Sequence, residues 1–242
     1  MNILISGYGK MGKEIERLAP EAGHRISGVY NEHEEWDMNP DLLLQCDVVI
    51  DFSTPRSAEG NILRCFRAGK PIICGTTGWH ENLPQITATC EALGGALFYA
   101  PNFSIGMNMY LEICERLALM MNQYPAYIPS LKEIHHTRKL DAPSGTALAI
   151  AARIVGRMEK LTGWLPGSSA PDHLMAIESV REGDVTGTHI LELKGPADRI
   201  VLTHEAFNRS GFAMGALTAA TWIAGRKGVY TMKDLLAGTN DN

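Results

Sequence analysis

Residues 2–12 of this chain read Asn-Ile-Leu-Ile-Ser-Gly-Tyr-Gly-Lys-Met-Gly, and this stretch decides the fold of the first half. The aliphatic run Ile3-Leu4-Ile5 is typical of a buried strand, and Ile15, Leu18, Ala19 and Ala22 recur later at helical spacing. Between them lies a G-x-G-x-x-G pattern, formed by Gly7, Gly9 and Gly12. This order indicates the start of a dinucleotide-binding βαβ unit, because N–H groups at a helix start attract a pyrophosphate. On the pattern alone, a purely structural turn is the alternative.

The same alternation continues to about residue 104. Short apolar runs and helical spacing predict strands Ile26–Tyr30, Val48–Ile50, Pro71–Cys74 and Ala96–Tyr99, with helices Ser57–Ala68 and Leu83–Leu93. Strands that alternate with helices are typical of a parallel sheet covered on both faces. The first part of the chain is therefore predicted to form a Rossmann-like parallel sheet.

The pattern changes after residue 104. It predicts a long helix Ile105–Gln123, a strand Leu131–His136, a helix from Ser144 to about Leu161, strands Met175–Arg181, Thr188–Leu193 and Arg199–Glu205, and a helix Phe212–Ala224. Consecutive strands with short turns favour a mixed or antiparallel sheet. We predict an α/β protein with a Rossmann-like domain, residues 1–104 and 210–242, and a smaller α+β domain, residues 105–209.

Composition excludes several classes of protein. The 242 residues are 45% hydrophobic and 20% charged, with a formal net charge of −5 and no cluster of Lys and Arg, which argues against nucleic-acid binding. The five cysteines form no C-x-x-C pair, so we expect reduced, buried thiols rather than a zinc site. No segment offers about 18 uninterrupted apolar residues, and the start lacks a secretory pattern. We expect a cytoplasmic protein with no membrane partner.

The loops that follow the predicted strands carry candidate cofactor contacts. Asn31 follows the second strand, beside an acidic group at Glu32, Glu34 and Glu35 that favours a ribose 2′-hydroxyl, and hence NADH, over a 2′-phosphate. Asn31 itself leaves use of both coenzymes open. The glycine-rich loop 75–78 either lies along a nicotinamide or is a simple strand–helix connection. In the segment 100–104, Phe103 is a candidate to pack on that ring, while Asn102 is equally suited to cap the next helix.

Residues 133–147 carry the most unusual pattern. They read Glu-Ile-His-His-Thr-Arg-Lys-Leu-Asp-Ala-Pro-Ser-Gly-Thr-Ala, so imidazoles and a Lys precede the start of a helix. Helix N–H groups, the Thr146 hydroxyl and the Lys139 ammonium are suited to a dianionic ligand. A solvated basic loop is the alternative. Zinc is disfavoured because no third ligand has suitable sequence spacing and the neighbouring cations repel a metal, so we predict no metal.

Taken together, these motifs resemble the 4-hydroxy-tetrahydrodipicolinate reductase (dihydrodipicolinate reductase) family over nearly the whole chain. The resemblance is carried by residues 7–12, 51–53, 75–78, 100–105, 133–147 and by Arg209 with 212–216. It implies a reductase of the diaminopimelate route to lysine, which reduces a small cyclic dicarboxylate with NADH or NADPH. It also implies a homotetramer in which the smaller domain binds substrate and mediates assembly, while the larger domain binds the dinucleotide.

The resemblance assigns roles by motif position. His135 and Lys139 correspond to proposed proton donors, and an oriented water is a third possibility. Substrate contacts correspond to His136, Gly145 and Thr146. The cofactor contacts correspond to Gly7, Tyr8, Gly9, Lys10, Met11, Gly12, Asn31, Phe52, Ser53, Gly75, Thr76, Thr77, Ala100, Pro101, Asn102, Phe103 and Arg209.

Two departures from the family pattern concern the cofactor. The first glycine loop is one residue shorter than usual, and Asn31 stands where an acidic residue is usual. Both affect cofactor contacts and leave the chemistry unchanged. A dehydrogenase for another amino-dicarboxylate and a nucleotide-sensing module are the competing functions, although a sensor needs no proton donor beside an anion site.

Overall fold

The computed structural model describes residues 1–32 and 34–238, and the chain divides into two units. Unit 1 consists of Met1–Ile105 and Ser210–Asn242, and unit 2 of Gly106–Arg209. Of the predicted segment 210–242, residues 239–242 lie outside the described residues. The ligand-binding and assembly roles predicted for the two domains stay predictions.

Within the described residues the strands are β1 (Asn2–Ser6), β2 (Arg25–Tyr30), β3 (Val48–Asp51), β4 (Ile72–Cys74), β5 (Ala96–Tyr99), β6 (Ile128–His135), β7 (Gly163–Pro166), β8 (Leu174–Arg181), β9 (Gly187–Lys194), β10 (Arg199–Ala206) and β11 (Gly228–Tyr230). The helices are α1 (Lys10–Leu18), α2 (Glu35–Met38), α3 (Pro40–Gln45), α4 (Pro55–Arg67), α5 (Leu83–Leu93), α6 (Ile105–Met121), α7 (Gly145–Val155), α8 (Ser210–Trp222) and α9 (Met232–Leu236).

Unit 1 contains a six-stranded parallel sheet in the order β11-β5-β4-β3-β1-β2. This confirms the predicted Rossmann-like sheet. The chain places β2 on one side of β1 and β3 on the other, so the order of the strands reverses at β1 and β3. In open parallel sheets ligands bind at the carboxyl ends of the strands next to such a reversal.

Both faces of this sheet are buried. On one face Ile5 of β1 packs with Ile15 of α1 and Leu217 of α8, which confirms that the C-terminal helix returns to the first unit. On the other face Leu4 packs with Ile62 of α4. Burial of successive residues on opposite faces explains why β1 is a continuous apolar run.

Unit 2 contains a mixed sheet in the order β10-β9-β6-β8-β7, as predicted for the smaller domain. Its central strand β6 runs antiparallel to β9 and parallel to β8. Leu131 of β6 and Leu191 of β9 pack under Ile150 of α7 in a separate core. Alternate residues of β6 are buried, so Leu131, Glu133 and His135 all point to the helix-covered face.

The structure also differs from the sequence predictions at particular elements. The helix predicted to reach Leu161 ends at Val155, although Met158 and Leu161 remain buried beyond it. Residues 163–166, where the sequence predicts neither helix nor strand, form β7, which pairs with β8. Its glycine and proline content hides a strand that tertiary pairing creates. The short elements α2, α3, α9 and β11 have too few residues to show periodicity.

Two other expectations concern the whole chain. All five cysteines are buried and free, as expected for reduced thiols. In residues 1–32 and 34–238, none of the helices is both long and apolar enough to cross a membrane.

The turn after β1 requires glycine at two positions. Gly7 has a φ of +88°, in the left-handed region that favours glycine, and a side-chain carbon there would lie 2.4 Å from the Phe52 carbonyl oxygen. At Gly12, in the first turn of α1, such a carbon would lie 2.3 Å from the Gly7 carbonyl oxygen. The glycine spacing therefore lets α1 pack directly against the end of β1.

We expect Gly12→Ala to lower the free energy of unfolding by about 2–3 kcal/mol, since the methyl group overlaps backbone that cannot move aside. Gly60→Ala is the matched control, because Gly60 lies in α4 with open space around the added carbon. That change should be neutral or stabilise by up to about 1 kcal/mol. Urea unfolding of both variants measures the difference, and equal stabilities would contradict the packing argument.

Candidate active site

A cavity of about 690 Å³ opens in unit 1 at the carboxyl ends of β1 and β3. Six of the predicted cofactor contacts line it: Gly7, Tyr8, Gly9, Asn31, Phe52 and Ser53. Glu32 and Glu34 of the predicted acidic group also line it, together with residues that the sequence did not single out, such as Trp36, Arg56 and Asn61. The cavity thus lies where the strand order reverses, as expected for a nucleotide site.

The start of α1 fits a phosphate. Gly9 is the N-cap residue, and no side chain within residues 1–32 and 34–238 caps the helix there. A side-chain carbon at Gly9 would meet nothing within 4 Å, so the backbone faces open space. The first turn contains no acidic residue. Because uncapped N–H groups and the helix dipole attract anions, this end of the cavity fits a pyrophosphate.

Asn31 connects the end of β2 to the glycine loop. Its side-chain oxygen accepts a hydrogen bond from the Tyr8 N–H at 3.3 Å, and its amide donates to Glu32 at 3.0 Å. The Glu35 carboxylate accepts the backbone N–H groups of Asn31 and Glu32, which hold its pKa below the usual range. Asn31 therefore orients both the loop and an adjacent carboxylate.

The fully buried Asp51 joins the loops at the carboxyl edge of the sheet. Its carboxylate accepts hydrogen bonds from Ser6 and Thr76 at 2.7 Å, from Asn61 at 2.8 Å and from Ser53 at 2.9 Å. The donors come from four separate segments. Asp51 thus fixes two predicted cofactor contacts, Ser53 and Thr76, relative to each other.

Three other predicted cofactor contacts, Phe103, Asn102 and Arg209, are not among the residues that line this cavity. Phe103 is 1% exposed, and its ring lies 5.7 Å from that of Phe52 and 5.8 Å from that of Phe98, so its side chain belongs to the core. Asn102 accepts the Ser104 N–H at 2.8 Å, and Ser104 precedes the first residue of α6, so this bond does not reach an N–H of the helix. Arg209 is the last residue of unit 2. Roles for these residues toward a cofactor stay predictions.

In unit 2 the hydrogen bonds converge on Glu133, for which the sequence predicts no role. Its fully buried carboxylate accepts the Ser144 N–H at 3.0 Å, the Ser179 hydroxyl at 2.7 Å and the Arg181 guanidinium at 3.2 Å. Burial alone would raise the pKa of Glu133, but its contacts with His135, Ser144 and Ser179 outweigh burial and hold the pKa well below the usual range. Glu133 is therefore a carboxylate at neutral pH.

His135 is buried between two acceptors. Its Nδ1 lies 3.2 Å from the Thr186 carbonyl oxygen, and its Nε2 lies 3.3 Å from a Glu133 carboxylate oxygen. The ring is 7% exposed. Both nitrogens face groups of the fold, so this predicted proton donor is directed inward. His136, the next residue, is half-buried, and its Nδ1 has no hydrogen-bond partner among the described residues.

Lys139 and the start of α7 lie beside this cluster. The Lys139 Nζ contacts both carboxylate oxygens of Asp141 at 2.8 Å. Lys139 lowers the pKa of Asp141, and the Gly145 N–H contributes in the same direction. The Ser144 hydroxyl caps the helix by accepting the Ala147 N–H at 3.1 Å. The fold thus brings three predicted residues, Lys139, Gly145 and Thr146, to one helix start.

His189, which the sequence assigned to the sheet, lies on β9 and also reaches the cluster. Its Nε2 is 3.9 Å from Glu133, and Glu133, His135 and His189 offer three ligand atoms within 4.8 Å of one another. The argument from sequence spacing misses this third potential ligand, because the fold supplies it from β9, which is far from β6 in sequence but pairs with it in the sheet. The Arg181 guanidinium shares the same carboxylate, and its charge opposes a cation there.

His189 is buried without hydrogen-bond partners for either nitrogen among the described residues. Burial lowers its pKa to about 4, and His135 adds to this shift while the Glu133 carboxylate opposes it. The folded protein therefore holds His189 neutral, whereas in the unfolded chain it gains a proton as the pH falls below about 6.5.

We expect the free energy of unfolding to fall by about 2 kcal/mol when the pH is lowered from 7.5 to 5. The reason is that only the unfolded chain protonates His189 in this range, and each pKa unit corresponds to about 1.4 kcal/mol. His189→Met should remove that loss, and His173→Gln, at an exposed position, should retain it. Urea unfolding at both pH values measures the effect. The same pH dependence in wild type and His189→Met would refute it.

Known proteins resemble this chain along its whole length. The family description "Dihydrodipicolinate reductase, N-terminus" matches residues 1–103, and "Dihydrodipicolinate reductase, C-terminus" matches residues 106–236. A 4-hydroxy-tetrahydrodipicolinate reductase from Christiangramia forsetii is 39% identical, with 98% of each chain covered. One from Lawsonia intracellularis is 35% identical, covering 97% of this chain and 98% of the relative.

A solved structure shares the fold. Dipicolinate-bound dihydrodipicolinate reductase from Paenisporosarcina sp. TG-14 has a TM-score of 0.78 at 22% identity, covering 96% of this chain and 97% of that chain. An amine dehydrogenase from Mycobacterium smegmatis has a TM-score of 0.55 at 10% identity, with 96% and 95% covered. Both halves of the family pattern, the relatives and the fold agree, and the chain belongs to the dihydrodipicolinate reductase family of NAD(P)H-dependent oxidoreductases.

Proposed function

We propose that this protein acts on 4-hydroxy-tetrahydrodipicolinate, which loses water to give dihydrodipicolinate, and reduces this ring to tetrahydrodipicolinate with NADH or NADPH, in the diaminopimelate route to lysine. Family membership supports the reaction. The observation that carries the proposal is the carboxylate of Asp141, which sits on Lys139 beside the start of α7.

The contact of the Asp141 carboxylate with Lys139 indicates which chemical group binds at the start of α7. An ammonium group and helix N–H groups together form a carboxylate site, and in this structure a side chain of the protein supplies the carboxylate. The substrate carries two carboxylates, so one of them is suited to replace Asp141 on Lys139. Gly145 is exposed and Thr146 is half-exposed, which leaves both reachable by a ligand.

The cavity of unit 1 supports the cofactor assignment. Gly7, Gly9 and the start of α1 would hold the pyrophosphate, and Ser53 and Thr76 are fixed by Asp51 at the same edge of the sheet. When bound, the reduced nicotinamide supplies the hydride. The protein then has to bind and orient the diacid and provide one proton.

We assign the proton to Lys139. Its Nζ carries protons at the carboxylate site, and its side chain is 23% exposed. The His135 ring is buried and its Nε2 is directed toward Glu133 inside the fold, which disfavours direct transfer from that ring. An ammonium beside the bound carboxylate can donate a proton to the ring carbon next to the position of reduction.

The coenzyme preference depends on opposing charges in the cavity. Glu32 and Glu34 repel a 2′-phosphate and accept hydrogen bonds from a 2′-hydroxyl, so we favour NADH. Arg56 also lines the cavity, and it enters from α4 rather than from the end of β2. Arg56 is our candidate for holding the 2′-phosphate of NADPH.

We also propose a homotetramer built on unit 2. Helices cover one face of its sheet, and the other face carries exposed apolar side chains such as Ile128 and Val201. The same face contains a cavity of about 510 Å³ lined by Ile128, Ala176 and Glu192 among others. Exposed apolar surface on a sheet is typical of an interface. A solution mass of one chain, measured by light scattering, would contradict this assembly.

The function is tested by mixing the protein with the freshly formed product of the preceding synthase and either coenzyme. We expect the absorbance of the reduced coenzyme to fall with both, with a lower KM for NADH. Arg56→Gln should raise the KM for NADPH about 10-fold and leave that for NADH within twofold, because only the 2′-phosphate needs the cation. Consumption of coenzyme only with other keto or imino diacids would identify a different dehydrogenase, and binding without turnover would identify a sensor.

Lys139→Ala should lower kcat by roughly 10²–10⁴-fold, the usual effect of losing a positioned proton donor. Arg138→Ala is the control, since the Arg138 guanidinium is exposed and pairs with Asp184 at 2.7 Å. That variant should stay within threefold of wild type in steady-state assays. A Lys139→Ala protein with near wild-type kcat would exclude Lys139 as the donor.

A further inference from the structure

The side chain of Arg181, at the end of β8, bonds to the backbone of the loop that carries Lys139. Its Nε donates to the Lys139 carbonyl oxygen at 3.3 Å, and one terminal nitrogen donates to the Asp141 carbonyl oxygen. The other terminal nitrogen donates to the Val180 carbonyl oxygen at 2.8 Å. The guanidinium therefore holds two backbone positions on either side of the segment that presents the Lys139 ammonium.

The same guanidinium is anchored to Glu133, 3.2 Å away. Glu133 in turn accepts the N–H of Ser144, the N-cap residue of α7, and the hydroxyl of Ser179. One buried ion pair thus connects the loop that carries Lys139 with the start of the helix. The loop and the helix start are therefore both held by the buried carboxylate of Glu133. Glu133 is not itself part of the exposed site at Lys139 that is proposed to bind a substrate carboxylate.

We propose that Glu133 and Arg181 are positioning residues, which hold Lys139 and the start of α7 at the separation that a substrate carboxylate requires. This inference rests on the proposed function of the site. Neither side chain donates the proton. They act by keeping the ammonium and the helix N–H groups in one arrangement before the ligand arrives.

Lysine does not replace Arg181 in this role. A guanidinium has donors in a fixed planar fork and reaches acceptors in several directions, whereas an ammonium offers three donors from one point. Arg181→Lys keeps the charge beside Glu133 but loses contacts with the loop carbonyl groups. This one substitution therefore tests the geometry of the Arg181 donors while the positive charge beside Glu133 stays the same.

The experiment compares Arg181→Lys with Arg116→Lys in the intact protein. Arg116 lies on α6, pairs with Glu112 at 3.2 Å and is 77% exposed, so its substitution should change nothing. We expect Arg181→Lys to lower kcat by about 10–100-fold, since small misplacements of a reacting group have effects of this size. Its affinity for dipicolinate, an aromatic diacid used as the probe, should fall at least 10-fold, while its Kd for NADH should stay within twofold of wild type.

A merely structural role would reduce the folded fraction and leave kcat per folded molecule and the dipicolinate affinity unchanged. That result, with kcat and dipicolinate affinity within twofold of wild type, would overturn the proposal. If Arg181→Lys does not fold, Ser179→Ala replaces it, because it removes one bond to Glu133 and retains Arg181. This milder variant should lower both quantities two- to tenfold, and unchanged values would overturn the proposal.

Failure of the positioning role proposed for Glu133 and Arg181 can be distinguished from failure of the proposed reaction. A wild-type protein that binds dipicolinate but does not reduce the synthase product refutes the proposed reaction. The loss of dipicolinate affinity in Arg181→Lys, which needs no turnover, would still support positioning of the carboxylate site.

Discussion

Each of the two units buries a carboxylate, and the loops after the strands are arranged to give that carboxylate its hydrogen bonds. An ionised carboxyl group removed from water is strongly destabilising unless donors surround it. Asp51 meets this requirement in unit 1 and Glu133 in unit 2. Because the donors lie on separate strands, helices and loops, satisfying the carboxylate also fixes the segments that carry the functional groups.

The two carboxylates differ in the kind of donor they receive. Asp51 is surrounded by the neutral hydroxyl and amide groups of Ser6, Ser53, Asn61 and Thr76. Glu133 receives a charged partner, Arg181, in addition to neutral donors. The first arrangement satisfies the carboxylate with dipoles alone. The second arrangement adds a full positive charge beside the carboxylate.

Much of the fold could be predicted because periodicity is local. The G-x-G-x-x-G turn and alternating apolar runs identified the parallel sheet, and the three alternating strands after residue 172 identified the mixed one. The strand β7 could not be predicted, since only its pairing with β8 makes Gly163–Pro166 extended. Short elements such as α2 and β11 carry too little pattern to be recognised.

The part of the candidate site that lies in one stretch of sequence could be predicted. The part that the fold assembles from separate strands could not. Lys139, Gly145 and Thr146 lie in one segment, whereas His189 and Arg181 come from other strands. One signal was available for Glu133. It shares the inward side of β6 with Leu131 and His135, so a carboxylate at that position of an alternating strand already indicated a buried charge in need of partners.

The contact between Asp141 and Lys139 has a consequence for ligand selection. A carboxylate attached to the same loop is present at an effective concentration on the order of millimolar, so a free monoacid gains little by replacing it. A ligand with a second anionic group gains a further anchor and overcomes this tethered competitor. Under the proposed function, this tethered carboxylate would favour a diacid over a small monoacid without a steric barrier.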